Sequence, residues 1–132
     1  MDGPHDRHTA LAGRVDAALA AGVDASRIVL DPGLGFAKDP DDNWALLREL
    51  DRLLELGFPV LVAASRKRFI GSLLQDRAGQ PRAVSGRDAA TAAVTAISAA
   101  AGAWAVRVHD VGPSADAVRV AAAWTAGKAG TR

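Results

Sequence analysis

Apolar and polar positions along this chain fall into two alternating kinds of segment. Residues 8–22, HTALAGRVDAALAAG, repeat alanine, leucine and valine at helical spacing; Thr9 or a neighbour can cap the run and Gly22 can stop it. Residues 27–31, RIVLD, form a short apolar run ending in an aspartate, and PGLG then breaks it, which predicts a buried strand followed by a loop. Residues 39–57 give the clearest helix: Asp39 can cap it, Pro40 suits its first turn, and acids crowd its positive end. Trp44, Leu47, Leu50 and Leu54 mark its apolar stripe, and Gly57 ends it. A second apolar strand, residues 59–67, runs into polar residues and a short helix at 68–75. Residues 76–86 read as a charged, mobile loop. Ser85 and Asp88 have the spacing of a capping box that opens a helix over 87–102 with a face of small residues. A third strand, 103–110, precedes a last helix over 113–127 that starts at Pro113 or Ser114.

The resulting order is one helix and then three strand–helix units. Such alternation implies parallel strands joined by right-handed crossovers. The strands are nearly continuous apolar runs, as expected when helices cover both faces. No glycine-rich dinucleotide fingerprint and no Walker motif follows any strand. Instead each strand ends in chemistry: Asp31 on the first, Ser65, Arg66 and Lys67 on the second, Arg107 and His109 on the third. Polar groups at the carboxyl ends of successive parallel strands are the habit of (β/α)8 barrels, and of open sheets that bind ligands at the same end.

Composition narrows the partners. The chain has 132 residues, 16 basic and 15 acidic, for a net charge of +1, so no broad basic field points to nucleic acid or to a membrane surface. There is no cysteine, which excludes disulfides and thiolate metal sites and makes the cytoplasm the expected compartment. No apolar run reaches the roughly 18 residues of a membrane span. Any charge that matters is therefore local.

In a strand, residues two apart point the same way. Ser65 and Lys67 then share a direction, and so do Arg107 and His109, with Val106 and Val108 on the opposite face against helices. A guanidinium fork and an imidazole side by side suit an anion, above all a phosphate. Taken singly, each residue also has an ordinary reading. Arg107 can be a solvated rim residue or half of an ion pair, Asp31 can start a turn before Pro-Gly, and Ser-Arg-Lys-Arg can be a solvated basic cluster. His5 and His8, close to the amino terminus, are given no metal role.

Three stretches in this order and spacing, LDPGLGFAK (30–38), ASRKRFIG (64–71) and VRVHDV (106–111), closely resemble the carboxyl-terminal half of dihydropteroate synthase, and GRDAATAAV before the third strand extends the resemblance. The resemblance implies a (β/α)8 barrel that condenses 6-hydroxymethyl-7,8-dihydropterin pyrophosphate with p-aminobenzoate, releasing pyrophosphate. It implies that Asp31 hydrogen-bonds the pterin, that Lys67 reaches the pterin and the aminobenzoate pocket, and that Gly35 and Phe36 line that pocket. It sets Ser65 at the aminobenzoate carboxylate, Arg66 beside the same site, and Arg107 and His109 on the pyrophosphate. It further implies a magnesium ion, sulfonamide inhibition and a homodimer through carboxyl-terminal helices. A barrel of this kind takes about 250 residues; the three units here correspond to its strands six, seven and eight. The family's magnesium-binding asparagine and its other pterin-gripping residues belong to the amino-terminal half, so the whole chain, residues 1–132, reads as a partial pterin-binding barrel domain expected to be inactive alone. The alternative is a non-catalytic partial barrel that binds pterin or phosphate, or serves as an assembly unit. The related pterin-binding domain of corrinoid methyltransferases is a weaker match, because it is not expected to keep both the Ser-Arg-Lys strand end and the Arg-x-His pair.

Overall fold

Among the described residues, Val60, Leu61 and Val62 provide the only stretch with a strand neighbour on both sides, and the fold is organised around it. In the computed structural model, which describes residues 4–35 and 39–127, strand β1 (Leu61–Val62) pairs in parallel with β2 (Ala105–Val106) in the register Leu61 to Ala105 and Val62 to Val106. On the other side Leu30 forms a single parallel bridge with Val60. The ladder comprises Leu30 N–H to Pro59 O and Leu61 N–H to Leu30 O, both 2.8 Å, then Trp104 N–H to Val60 O at 2.9 Å and Arg107 N–H to Val62 O at 3.0 Å. The three apolar runs thus lie side by side, parallel and in chain order.

The regular pairing is shorter than the runs at 27–31, 59–67 and 103–110 suggest. A strand needs a neighbour for its backbone groups, and among the described residues the two outer segments have one on a single side only. Beyond Val62 the chain leaves the ladder and turns at Ser65 and Arg66. Burial on both faces holds for the central segment, where Val60, Val62, Ala63 and Ala64 are all buried. It fails at the flanks, where Val29 and Trp104 are exposed.

Helix α1 (Pro4–Ala20) starts earlier than residue 8, with proline in its first turn, and Thr9 lies inside it rather than at its cap. The long helix expected at 39–57 is two helices, α2 (Pro40–Arg48) and α3 (Leu50–Leu54), separated at Glu49 where the backbone leaves helical angles (φ −106°, ψ 26°). Asp39 does cap α2, its Oδ1 accepting from Asp41 N–H at 2.9 Å. The deepest residues of this unit are Leu46, Leu50 and Leu53, so Trp44, Leu47 and Leu54 flank the apolar stripe and do not centre it. These leucines pack with Val15, Leu30, Leu34, Val60, Val62, Phe69 and Ile70 into one core. Trp44 meets Phe69 edge to face at 4.9 Å, a geometry that adds about 0.5–1.5 kcal/mol beyond burial.

Helix α4 (Arg68–Leu73) forms close to where it was expected. The following segment is tied down: Asp76 Oδ1 accepts from Ala78 N–H and Gln80 N–H at 2.9 and 3.0 Å, and Arg82 N–H reaches Gly71 O at 3.1 Å. Helix α5 (Asp88–Ala101) has no capping box; Ser85 lies in a 3-10 turn and Arg87 is the cap residue, without a side-chain cap bond. Helix α6 (Val111–Thr125) begins two residues before Pro113, which is tolerated because amides of the first turn have no helical acceptor. The small-residue face of α5 packs along α6, where buried Thr95 and Ser114 share a 3.1 Å hydroxyl contact.

Candidate functional site

The first strand segment ends at Leu30, and the next residue, Asp31, is exposed. Asp31 Oδ1 accepts from Gly33 N–H at 2.9 Å, so its side chain makes the turn before the loop. From α1, Arg7 donates to the Pro32 carbonyl and, at 3.4 Å, to the Gly33 carbonyl, pinning this loop from outside.

Further along the loop Gly35 has φ +90°, and a Cβ there would lie 2.8 Å from Lys67 Cδ, so only glycine lets the lysine stem pass. Gly35 N–H donates to Asn43 Oδ1 at 2.8 Å, and Asn43 is only 2 % exposed. Lys67 Nζ crosses the loop to the Leu34 carbonyl at 2.5 Å. Leu34, Gly35, Lys67 and Arg68 line a depression of about 260 Å³. Phe36, the other pocket residue implied by the resemblance, lies outside the described residues.

Burial pushes the Lys67 ammonium below the usual lysine value, the charge of Asp31 opposes that shift, and the charge of Arg107 reinforces it. The Arg107 side chain is exposed, and its guanidinium makes no ion pair among the described residues. Val106 and Val108 take the opposite face as expected, lining a small space with Thr91, Val94 and Thr95 of α5.

Ser65 is buried and does not point at open space. Its Oγ lies 2.8 Å from His109 Nδ1 and also accepts the His109 backbone N–H at 3.1 Å. With the backbone amide on one lone pair, the hydroxyl proton can go to an unprotonated Nδ1, which leaves Nε2–H as a donor.

Arg66 departs from its neighbours. Its φ is +58°, a conformation that costs a non-glycine residue about 1–3 kcal/mol. Its guanidinium turns to α5, where Nε and Nη2 donate to the two Asp88 oxygens at 2.8 and 2.9 Å. The paired hydrogen bond from Arg66 holds the Asp88 carboxyl below its usual range, against the opposing effect of burial. The structure therefore sets Gly35 and Lys67 on one depression, couples Ser65 to His109, leaves Asp31 and Arg107 exposed after the first and third strand segments, and takes the Arg66 guanidinium to α5.

Sequence reasoning missed Arg7, Asn43, Arg87 and Thr91, and read Asp88 as part of a cap. Asn43 carried a usable signal, being a polar residue one helical turn before buried Leu46. Arg7 and Thr91 pair with residues 25 positions away, and Arg87 joins the Arg66 carbonyl 21 positions away as well as the Arg82 carbonyl five away. The apolar groove between α2–α3 and α5, about 180 Å³ and lined by Trp44, Leu47 and Ile97 among others, contains none of this polar set.

Comparison with known proteins gives this constellation a context. A family model described as pterin binding enzyme matches residues 4–109. The dihydropteroate synthase of Mycobacterium leprae is 54 % identical over 110 residues, which cover 83 % of this chain and 39 % of that protein. A Xanthomonas albilineans dihydropteroate synthase in complex with 7,8-dihydropteroate superposes with a TM-score of 0.86 at 42 % identity, over 96 % of this chain and 47 % of that one. A Yersinia pestis dihydropteroate synthase with a bound sulfonamide drug gives 0.86 at 32 % identity, over 97 % and 45 %. The chain thus spans about two fifths of the curated relatives it matches and somewhat under half of these structures. With the family model covering most of its length, the chain belongs to the pterin-binding enzymes, and within them it resembles the carboxyl-terminal half of dihydropteroate synthase.

Proposed function

We propose that this chain carries the carboxyl-terminal part of a dihydropteroate synthase-type transferase site, built on what correspond to strands six to eight of a (β/α)8 barrel. One observation carries the reading: in the segment after the middle strand, Lys67 reaches the loop that follows the first strand through the Leu34 carbonyl, while Ser65 two residues earlier is bonded to His109 after the third. Asp31 offers its carboxylate to the amine and ring N–H of a pterin. Lys67 reaches the same ring and, with Gly35 and Phe36, shapes the aminobenzoate pocket, where a sulfonamide would compete. Arg107 and the Nε2–H of His109 hold the pyrophosphate.

The chemistry follows from these placements. The aminobenzoate nitrogen attacks the pterin methylene carbon, a C–N bond forms, and the C–O bond to pyrophosphate breaks with its electron pair leaving on oxygen. The nitrogen then loses a proton. Negative charge builds on the departing oxygen, so fixed cationic donors there lower the barrier. Among the described residues no three carboxylates or imidazoles converge as metal ligands. The resemblance assigns magnesium to the part of the relatives that this chain does not span, and no step is routed through it. The cysteine-free composition suits a cytoplasmic enzyme.

The test combines binding and activity. Calorimetry should show inorganic pyrophosphate binding to the chain, and Arg107→Ala should weaken it by roughly 1.5–3 kcal/mol, the value of a charge-assisted hydrogen bond. Dihydropteroate formation should appear when the chain is supplied with the amino-terminal part of a relative. Binding without that complementation would favour the non-catalytic pterin or phosphate binder. Unchanged affinity in Arg107→Ala would remove the anion assignment.

A further inference from the structure

Arg66 is the only non-glycine residue with positive φ among the described residues. A residue keeps such a conformation only when its surroundings over-determine it. Arg66 is held through its amide, its carbonyl and two guanidinium nitrogens by the start of α5 and the residue before it. Its amide donates to Thr91 Oγ1 at 3.2 Å, its carbonyl accepts from Arg87 Nη1 at 2.8 Å, and its guanidinium makes the two bonds to Asp88. Arg87 is itself buried and fixed, with Nε donating to the Arg82 carbonyl at 2.8 Å. Its guanidinium covers Gly71 so closely that a Cβ there would lie 2.5 Å from it.

The left-handed turn has a consequence for the site. It sends the middle side chain of Ser65-Arg66-Lys67 to α5 while the two flanking ones go to His109 and to Leu34. We infer that Arg66 is a positioning residue and not a substrate ligand: anchored by Asp88 and Arg87, it holds the turn that aims Lys67, and His109 through Ser65, at the ligand. Swinging Arg66 onto a substrate carboxylate would break both bonds to Asp88 and release the turn. The inference rests on the anion-site reading above for the identity of the ligand, but the geometry of His109 reports on it without any ligand.

The experiment uses the full chain and two readouts, the ring ¹⁵N signals of His109 (assigned with His109→Gln) and calorimetric binding of inorganic pyrophosphate. Asp88→Ala should shift the His109 ring signals and weaken pyrophosphate binding by about tenfold, the scale of losing a supporting contact. Glycine holds φ +58° without an anchor, so Arg66→Gly should disturb both readouts less, and adding it to Asp88→Ala should recover most of the loss. If Asp88→Ala does not fold, Asp88→Asn is read in the same way. A large loss of affinity in Arg66→Gly with unmoved His109 signals would make Arg66 a ligand contact and overturn the inference, as would an Asp88→Ala chain unchanged in both readouts. Should the chain not bind pyrophosphate while the His109 signals follow the expected order, the anion reading fails and the positioning role stands.

Discussion

Lys67 couples the site to pH. Burial lowers its proton affinity, with Arg107 adding to the effect and Asp31 opposing it, so in the free chain it becomes neutral below the 10.5 of a solvated lysine. An anion bound nearby favours the charged form and raises that value. Pyrophosphate affinity should therefore be full below the lowered pKa and fall as pH rises through it, with net proton uptake on binding between the two values. Calorimetry in buffers of different ionisation enthalpy measures that uptake directly. Affinity that is flat across the alkaline range, with no proton taken up, would place Lys67 away from the anion. For the stability of the free chain the sign is opposite: a lysine that prefers to be neutral when folded gives stability that rises with pH from its lowered folded value up to the 10.5 of the unfolded chain.

At the scale of elements, the loop after the first strand is held by groups from three directions: Arg7 of α1, Asn43 of α2 and Lys67 at the start of α4. Asn43 is the most exacting of these, because it is buried and its Oδ1 is the acceptor for Gly35 N–H. Asn43→Leu keeps the apolar packing of α2 but leaves that amide without a partner. The expected loss is about 1–3 kcal/mol in chemical denaturation, accompanied by weaker ligand binding as the loop loosens. A variant as stable as the parent would show that water replaces the asparagine at no cost. The α2 stripe illustrates what periodicity conveys. It correctly located an amphipathic helix, capped at Asp39, but the break at Glu49 moved the buried face onto Leu46, Leu50 and Leu53, which only packing against the sheet could select.

Over the whole molecule, the described sheet presents unpaired outer edges, and large apolar side chains stand in solvent on α5 and α6, with Ile97 72 % and Trp124 78 % exposed. Unpaired edges and exposed apolar surface favour association. The chain should sediment as a dimer or larger species at micromolar concentration, symmetric pairing being the commoner ordered outcome. Dye binding should report residual exposed apolar surface in any monomer. A cooperatively melting monomer without dye binding would mean that this chain closes its own core.

Local chemistry determined a good part of this protein. The order of helices and strand segments, the Asp39-Pro40 start of α2, and the positions of Asp31 and Arg107 directly after strand segments are set by propensities and breaks that act within a few residues, and these were legible in the sequence, whereas Lys67 lies at the start of α4, five residues past β1. The opposite faces of Val106–Val108 and Arg107 follow from the two-residue period of an extended chain. Tertiary structure decided which neighbouring polar group does what. In Ser65-Arg66-Lys67 a regular strand would alternate the three side chains, whereas the left-handed turn sends Arg66 to Asp88, 22 residues away, and leaves Ser65 to His109, 44 residues away. Asp88 had the spacing of a cap and became an ion-pair partner, because a charge-assisted double hydrogen bond outweighs a single cap bond. Such choices depend on which surfaces the packed helices bring within about 3 Å of each other, and no window of sequence contains both partners.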